Sequence, residues 1–195
     1  MENRDLIWFK EILKNQQFVE RLKKIKLVIT DVDGCLTDNK IYMLARGEEV
    51  KCYNVSDGLA TKRASTNNLL KIALLSGKNG KSVELRAKNL GIPQDLIYLG
   101  YELNKLEMVK KIQEEQNVSK EETLYFGDDV PDISAKDGVS LFISPSNVMF
   151  YIRPHADLII PKEGGSGAFR LLLDLVLFVQ KKHFAQNLIE DILES

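Results

Sequence analysis

Apolar runs of four to six residues recur along most of this chain, and each stops at glycine or polar residues. They span 27–30, 70–75, 96–99, 123–126 and 139–143. Short β-rich runs of this kind, ending in acidic, polar or glycine residues, read as strands. Segments with helical spacing separate them, such as 79–90 and 104–116. Gly91 is placed to close the first of these helices, and Ser119 with Glu122 forms a capping-box pattern just before the strand at Thr123. Strands alternating with helices fold as an α/β protein, a parallel sheet with helices on both faces. Ligands of such sheets sit beyond the carboxyl ends of the strands, which is where the polar clusters fall here.

One segment breaks the alternation. Residues 40–44 and 48–53 are two short β-like runs around Ala45-Arg46-Gly47, which reads as a β-hairpin projecting after the first strand. Residues 3–24 read as one amphipathic helix, with Ile7, Phe9, Ile12, Leu13, Val19 and Leu22 on a broad face that packs on the core or on a neighbouring subunit. There is no internal repeat, low-complexity tract or linker. The expected organisation is a helical extension over 1–24, one domain over 25–182 without a large inserted cap, and a helical tail over 183–195.

A chain of 195 residues is a natural size for one domain with a substantial core. Its formal charge of -1 gives no reason to expect nucleic acid or an anionic membrane as partner, so any anion site must be a local arrangement. The two cysteines, Cys35 and Cys52, lie in no CxxC pair, which speaks against zinc. Their neighbours Leu36 and Tyr53 suggest buried thiols, in keeping with a reducing cytoplasm. The apolar cluster Leu6-Ile7-Trp8-Phe9 is broken by Lys10 and Glu11 and does not read as a secretory signal. The apolar stretch 169–179 contains Asp174 and is too short to span a bilayer, so a soluble cytoplasmic protein is expected.

Two acidic groups need an explanation. Asp31 and Asp33 stand two residues apart where the first strand ends, and continued strand geometry would put both side chains on one face. Gly127-Asp128-Asp129-Val130-Pro131-Asp132 follows a second strand. Each alone can be structural, the first as an acidic turn and the second as acidic residues in the first turn of a helix. Together, at the ends of two parallel strands, they converge on one cation site, and magnesium prefers such oxygen donors with phosphate as co-ligand. Ser76-Gly77-Lys78 follows the strand at 70–75, offering a hydroxyl and a backbone N–H near a helix start. Lys105 opens the helix at 104–116, where the helix dipole disfavours a cation, so facing an anion at the same sheet edge would account for it.

These four elements, in this order, resemble the motifs of the haloacid dehalogenase superfamily of phosphatases, over nearly everything from Lys26 to about Val179. More narrowly the chain is similar to the capless phosphatases of 3-deoxy-D-manno-octulosonate 8-phosphate (KDO 8-phosphate). The segments that carry this are Asp33-Gly34-Cys35-Leu36-Thr37-Asp38, Ile41-Tyr42, Gly47-Glu48-Glu49, Asn54-Val55-Ser56-Asp57-Gly58 and Gly164-Gly165-Ser166-Gly167-Ala168. The resemblance implies a single Rossmann-like domain and a cytoplasmic phosphoric monoester hydrolase of lipopolysaccharide precursor synthesis. In it Asp31 is the nucleophile, and Asp33 is general acid and then base. Mg2+ is held by the Asp31 and Asp128 carboxylates and the Asp33 backbone carbonyl, Ser76 and Lys105 bind the phosphoryl oxygens, and Asp129 and Asp132 stand behind the metal ligands. Asp33, Asn54, Val55, Ser56, Asp57, Gly58, Lys62, Lys78, Arg86 and Lys105 match substrate-contact positions. The resemblance also implies a homotetramer whose hairpins assemble around the axis and whose subunits share active sites.

Ser56, Lys78 and Ser166 stand where the octulosonate phosphatases often carry arginine, and lysine does not replace a bidentate arginine for holding a sugar carboxylate. A phosphatase of a related nine-carbon sugar acid 9-phosphate is therefore the alternative. Two other classes fit less well. Residues 76–82 end like a P-loop, but the required first glycine falls at Leu75. A signalling receiver also pairs carboxylates with a lysine, yet here Val32 separates the first pair and a second acidic group follows Gly127.

Overall fold

The computed structural model of the chain describes residues 3–194. Met1, Glu2 and Ser195, at the outer ends of the two expected extensions, lie outside the described residues. The N-terminal segment is two helices rather than the single one its periodicity suggests, Arg4–Lys14 (α1) and Gln16–Lys24 (α2). Asn15 divides them: its side-chain oxygen accepts the Phe18 N–H at 3.1 Å, capping α2 where α1 ends. An Asn side chain offers the backbone this alternative to a continuous helix. The break lets α2 bury Phe18, Val19 and Leu22, while α1 buries Phe9 edge-on against Phe178 at 5.4 Å between ring centroids and leaves Ile7 exposed. The Trp8 indole N–H donates to the Ile159 carbonyl at 3.1 Å, and the Gln180 amide donates to the carbonyls of Leu22 and Ile25. Both helices thus pack on their own chain's core.

The remaining elements follow in chain order. Leu27–Thr30 (β1) leads through a loop into the hairpin Tyr42–Met43 (β2) and Glu49–Val50 (β3). Then come Val55–Thr66 (α3), Lys71–Ser76 (β4), Lys81–Asn89 (α4), Ile97–Leu99 (β5) and Lys105–Gln116 (α5). Thr123–Phe126 (β6), the single turn Val130–Ile133 (α6), Leu141–Ser144 (β7) and Leu158–Ile159 (β8) complete the strands, and Ala168–Val179 (α7) and Gln186–Glu194 (α8) close the chain. Gly91 has the expected left-handed conformation after α4, and Ser119 with Glu122 forms the capping box before β6. At two residues, β8 is too short to leave a pattern in the sequence.

Six strands form one parallel sheet in the order β5-β4-β1-β6-β7-β8, and the hairpin forms its own two-stranded antiparallel sheet. Every residue of β1, β6 and β7 is buried, as expected for strands of a sheet covered on both faces. From β1 the chain builds outward through β4 to β5 and then returns to the other side of β1 as β6. By the right-handed crossover rule this reversal puts α5 on the opposite face from α3. Helix α7, apolar almost all round, packs between α3 and α2. In the register, Thr30 lies opposite Leu74 of β4 and Phe126 of β6. The carboxyl ends of β1 and β6 therefore meet at the point where the strand order reverses, the place where an open α/β sheet leaves a crevice.

Candidate active site

Strand geometry does not persist through Asp31 and Asp33. The Asp31 N–H still donates to the Phe126 carbonyl at 2.9 Å, but the chain then turns, with the N–H groups of Leu36 and Thr37 both donating to the Val32 carbonyl. Gly34 makes this turn possible at φ +80°, and any Cβ there would land on the Asp128 carboxylate. The loop is backed by the glycine-rich segment before α7: a Cβ on Gly164 would collide with the Gly34 carbonyl, and the Gly165 N–H donates to the Cys35 carbonyl. Asn147 ties the two together, donating to the Gly34 carbonyl and accepting the Gly164 N–H. The turn sends Asp31 and Asp33 to different partners.

Asp31 joins Asp128 and Asp132 in a cluster whose carboxylate oxygens lie within 4.8 Å of one another. Asp132, fully buried, is saturated. One of its oxygens accepts from the Lys105 ammonium at 2.6 Å and the Tyr125 hydroxyl at 2.7 Å, and the other accepts the N–H groups of Asp128 and Asp129 at 2.9 and 3.1 Å. Asp129 caps α6 in a reciprocal box with Asp132, so the structural and functional readings of this motif coincide. Lys105 is buried at the first position of α5, where the dipole is unfavourable, and is held there by Asp132 and by Asp31 at 3.3 Å. Burial depresses its basicity, but the charges of Asp132 and Asp31 outweigh that and hold it above the ordinary lysine range.

Three carboxylates against one ammonium leave the cluster with excess negative charge. Burial first, then the charge of Asp132, push Asp31 up to about 7 despite Lys105. Burial and the charges of Asp132 and Asp31 push Asp128 up to about 8. A donor set of carboxylate oxygens with a charge deficit fits a hard divalent cation. Asp31 and Asp128 are the members with oxygens to spare, since those of Asp132 are engaged.

A pocket of about 320 Å³ opens over the cluster, lined by Asp31, Asp33, Ser76, Lys78, Lys105 and Asp128, with Asp129 at its wall. Ser76, at the end of β4, is buried, and its hydroxyl oxygen accepts the Lys78 N–H at 3.4 Å. A second hollow adjoins the first through Gly77, Lys78 and Glu102 and extends to Glu49 on the hairpin. The other expected substrate contacts are elsewhere. Asn54 caps α3, accepting the N–H groups of Ser56 and Asp57, and Asn54 and Ser56 line a separate concavity beside Lys162 and Arg170. Asp57 is buried and accepts the N–H groups of Gly167 and Arg170 at the start of α7. Gly58 lies under the Arg86 guanidinium, which donates to the Asn54 carbonyl. Val55 and Lys62 are exposed on α3. Within one chain Asp57 ties α3 to α7, Arg86 ties α4 to the start of α3, and none of these residues lines the Asp31 pocket.

Two residues without an assigned role in the motifs belong to this site. Tyr125 anchors Asp132, and its signal was a hydroxyl in a fully buried strand, which must find a partner. Lys51 donates to both oxygens of Asp33, at 2.7 and 2.6 Å, and nothing local announces it. One expectation fails outright: Cys35 is buried, its thiol directed at Asp128 at 3.5 Å, but Cys52 is exposed. Cys52 lies just past the hairpin, whose residues 41–50 are all exposed. No helix among the described residues is long and apolar enough to cross a membrane.

No protein-family model matches the chain. It is 33% identical over 176 residues to the 3-deoxy-D-manno-octulosonate 8-phosphate phosphatase KdsC of Haemophilus influenzae, covering 90% of this chain and 96% of that protein. Among solved structures, the Moraxella catarrhalis 3-deoxy-D-manno-octulosonate 8-phosphate phosphatase in complex with magnesium ion, phosphate ion and KDO superimposes with a TM-score of 0.80 at 30% identity, over 91% of this chain and 98% of that one. A haloacid dehalogenase superfamily hydrolase of subfamily IIIA from Legionella pneumophila does so with a TM-score of 0.79 at 30% identity, over 91% and 94%.

Proposed function

Since the chain belongs to the 3-deoxy-D-manno-octulosonate 8-phosphate phosphatase family of the haloacid dehalogenase superfamily, and is thus a phosphoric monoester hydrolase, we propose that it hydrolyses KDO 8-phosphate to KDO and phosphate through an aspartyl-phosphate on Asp31. The observation that carries the reading is the convergence of Asp31, Asp128, Lys105 and Ser76 on one pocket at the carboxyl ends of β1, β4 and β6.

In the first step an Asp31 carboxylate oxygen attacks phosphorus, the bond from phosphorus to the bridging oxygen breaks, and the Asp33 carboxyl gives its proton to the departing alkoxide. In the second, the Asp33 carboxylate takes a proton from water, whose oxygen attacks phosphorus and releases Asp31 and inorganic phosphate. The Lys105 ammonium and the Ser76 hydroxyl hold the phosphoryl oxygens, where charge stabilisation does most of the catalysis. Asp132 and Tyr125 keep Lys105 in place. Asp31, Asp128 and the Asp33 backbone carbonyl would hold magnesium, which would supply the positive charge that lets buried carboxylates stay ionised beside a phosphoryl dianion.

We further propose a homotetramer that completes each pocket from a neighbouring subunit. Support comes from the hairpin, whose Ile41, Tyr42, Met43, Leu44 and Val50 are all exposed, and from an open pocket that needs water excluded. Asn54, Ser56, Lys62 and Arg86, which stand off their own chain's pocket, are then candidates to contact a substrate held by a neighbour. Gly164 and Gly165 are engaged with their own Asp31 loop, whereas the hairpin is exposed throughout residues 41–50.

The test is phosphate release from KDO 8-phosphate, a nine-carbon sugar acid 9-phosphate and a hexose 6-phosphate. The octulosonate ester is expected to give the highest kcat/KM, and preference for the nine-carbon ester would transfer the assignment to that substrate. Asp31→Asn keeps the fold and loses turnover, and steady hydrolysis by that variant, free of deamidated protein, defeats the mechanism. Light scattering checks the assembly, where a fully active monomer defeats it.

A further inference from the structure

The hairpin is exposed at every position from Ile41 to Val50, yet the side chain of the next residue, Lys51, is only 3% exposed. A lysine withdrawn from solvent at the edge of an otherwise solvated arm is costly unless its charge is met. It is met by Asp33, both of whose oxygens accept from the Lys51 ammonium, at 2.7 and 2.6 Å.

Lys51 follows directly after the paired strand, in which Tyr42 meets Val50 and Met43 meets Glu49. Glu49 lines the hollow that adjoins the catalytic pocket, so this end of the hairpin lies beside the chemistry. Tyr53 stands two residues further on, its ring under the Arg86 guanidinium. Burial and then the nearby Asp33 charge push its phenol up to about 12, against the pull of Arg86, so it stays a neutral hydroxyl beside the pair. Asp33 itself sits on a turn, apart from the Asp31, Asp128 and Asp132 cluster.

We propose that Lys51 is the positioning residue of the acid–base step: it holds both oxygens of the ionised Asp33, and one of them when the other carries the proton for the alkoxide, which fixes the group at the pocket wall and makes its placement depend on the hairpin. This rests on the role given to Asp33 above. A carboxylate on a turn with no other side-chain partner samples several rotamers, and displacement of a catalytic group by about 1 Å can lower a rate about 100-fold. The contact also gives the hairpin a part in catalysis besides any part in assembly, since whatever orders the hairpin orders Asp33.

The experiment compares wild type, Lys51→Met and Lys51→Arg with two substrates in magnesium. Methionine keeps much of the aliphatic stem and removes the charge, and arginine keeps the charge. With an alkyl phosphate such as hexose 6-phosphate, whose leaving alkoxide needs a proton, Lys51→Met is expected to lose roughly 10- to 100-fold in kcat with KM little changed, and Lys51→Arg to recover much of it. With p-nitrophenyl phosphate, whose leaving group needs no proton, the first step is spared. Lys51→Met should then release about one equivalent of p-nitrophenolate per subunit in a burst, followed by slow turnover as the water-activation step lags. Unchanged kcat with both substrates overturns the proposal, and so does a loss confined to KM. A burst slowed as much as alkyl phosphate cleavage shows a general disturbance of the site and also overturns it. The reading of Asp33 fails separately, if Asp33→Asn in the wild-type background leaves hexose 6-phosphate turnover intact.

Discussion

Removing the divalent cation should make the protein's stability fall as pH rises. Without it, Asp31 and Asp128 stand at about 7 and about 8 in the folded state, against 3.8 for a free aspartate, chiefly because burial disfavours their charged forms. Between pH 4 and pH 8 the folded chain therefore binds more protons than the unfolded one, and the slope of stability with pH is negative. The advantage of the protonated cluster is fully present below pH 4 and is lost as pH passes through 7 and 8. Moving single groups this far corresponds to about 4 and about 6 kcal/mol. The two share one cluster, so part of the effect is counted in both and the total is less than their sum. That is a large share of the ~5–15 kcal/mol that holds a domain folded. Urea unfolding in chelator at pH 5.5 and 8.5 reads it directly. At a typical slope of about 2 kcal/mol per molar urea the midpoint should drop by about 2 M or more at the higher pH. Saturating magnesium should cancel most of the drop, because bound cation stabilises only the folded state. Asp128→Asn should shrink it too. A chelated midpoint that is level or rises from pH 5.5 to 8.5, with no magnesium effect, would refute the claim that this cluster is short of positive charge.

Asp132→Asn replaces an oxygen that accepts two hydrogen bonds with an amide that donates, leaving Lys105 or two backbone N–H groups unmet. With magnesium bound it should lose about 3 kcal/mol in urea unfolding and about 100-fold in kcat, and near-normal kcat would show that Asp132 does not hold Lys105. Gly34→Ala must accept φ +80° and set a methyl group where the Asp128 carboxylate lies. The strain is about 1–2 kcal/mol, and the magnesium concentration for half-maximal activity should rise at least about tenfold, so an unchanged magnesium titration contradicts the packing. Asn15→Ala removes the cap of α2 and should cost about 1 kcal/mol with no change in kcat. A variant as stable as wild type would mean that the cap is not what divides the two helices.

Short-range signals carried the architecture. The apolar runs of β1, β6 and β7 are continuous because both faces of a parallel sheet are covered, and those of β1 and β6 end in the acidic residues that line the pocket. Gly91, the Ser119–Glu122 box and the hairpin turn at Gly47 are likewise written in neighbouring residues, because caps and turns close within a few positions. Asn15 was within reach too, but the apolar spacing on both sides of it fits one helix as well as two, and periodicity does not register a side chain that competes for the backbone. What the fold alone decided are pairings between distant positions. Lys51 meets Asp33 only because the hairpin folds back over the β1 turn, and Tyr125 meets Asp132 because α6 turns back over the end of β6. Asp57, placed by motif among the substrate contacts, ties α3 to α7 across more than a hundred residues. A residue's type and its neighbours fix what it can do, and which buried partner satisfies its charge or hydrogen bond is fixed by packing that no local pattern encodes.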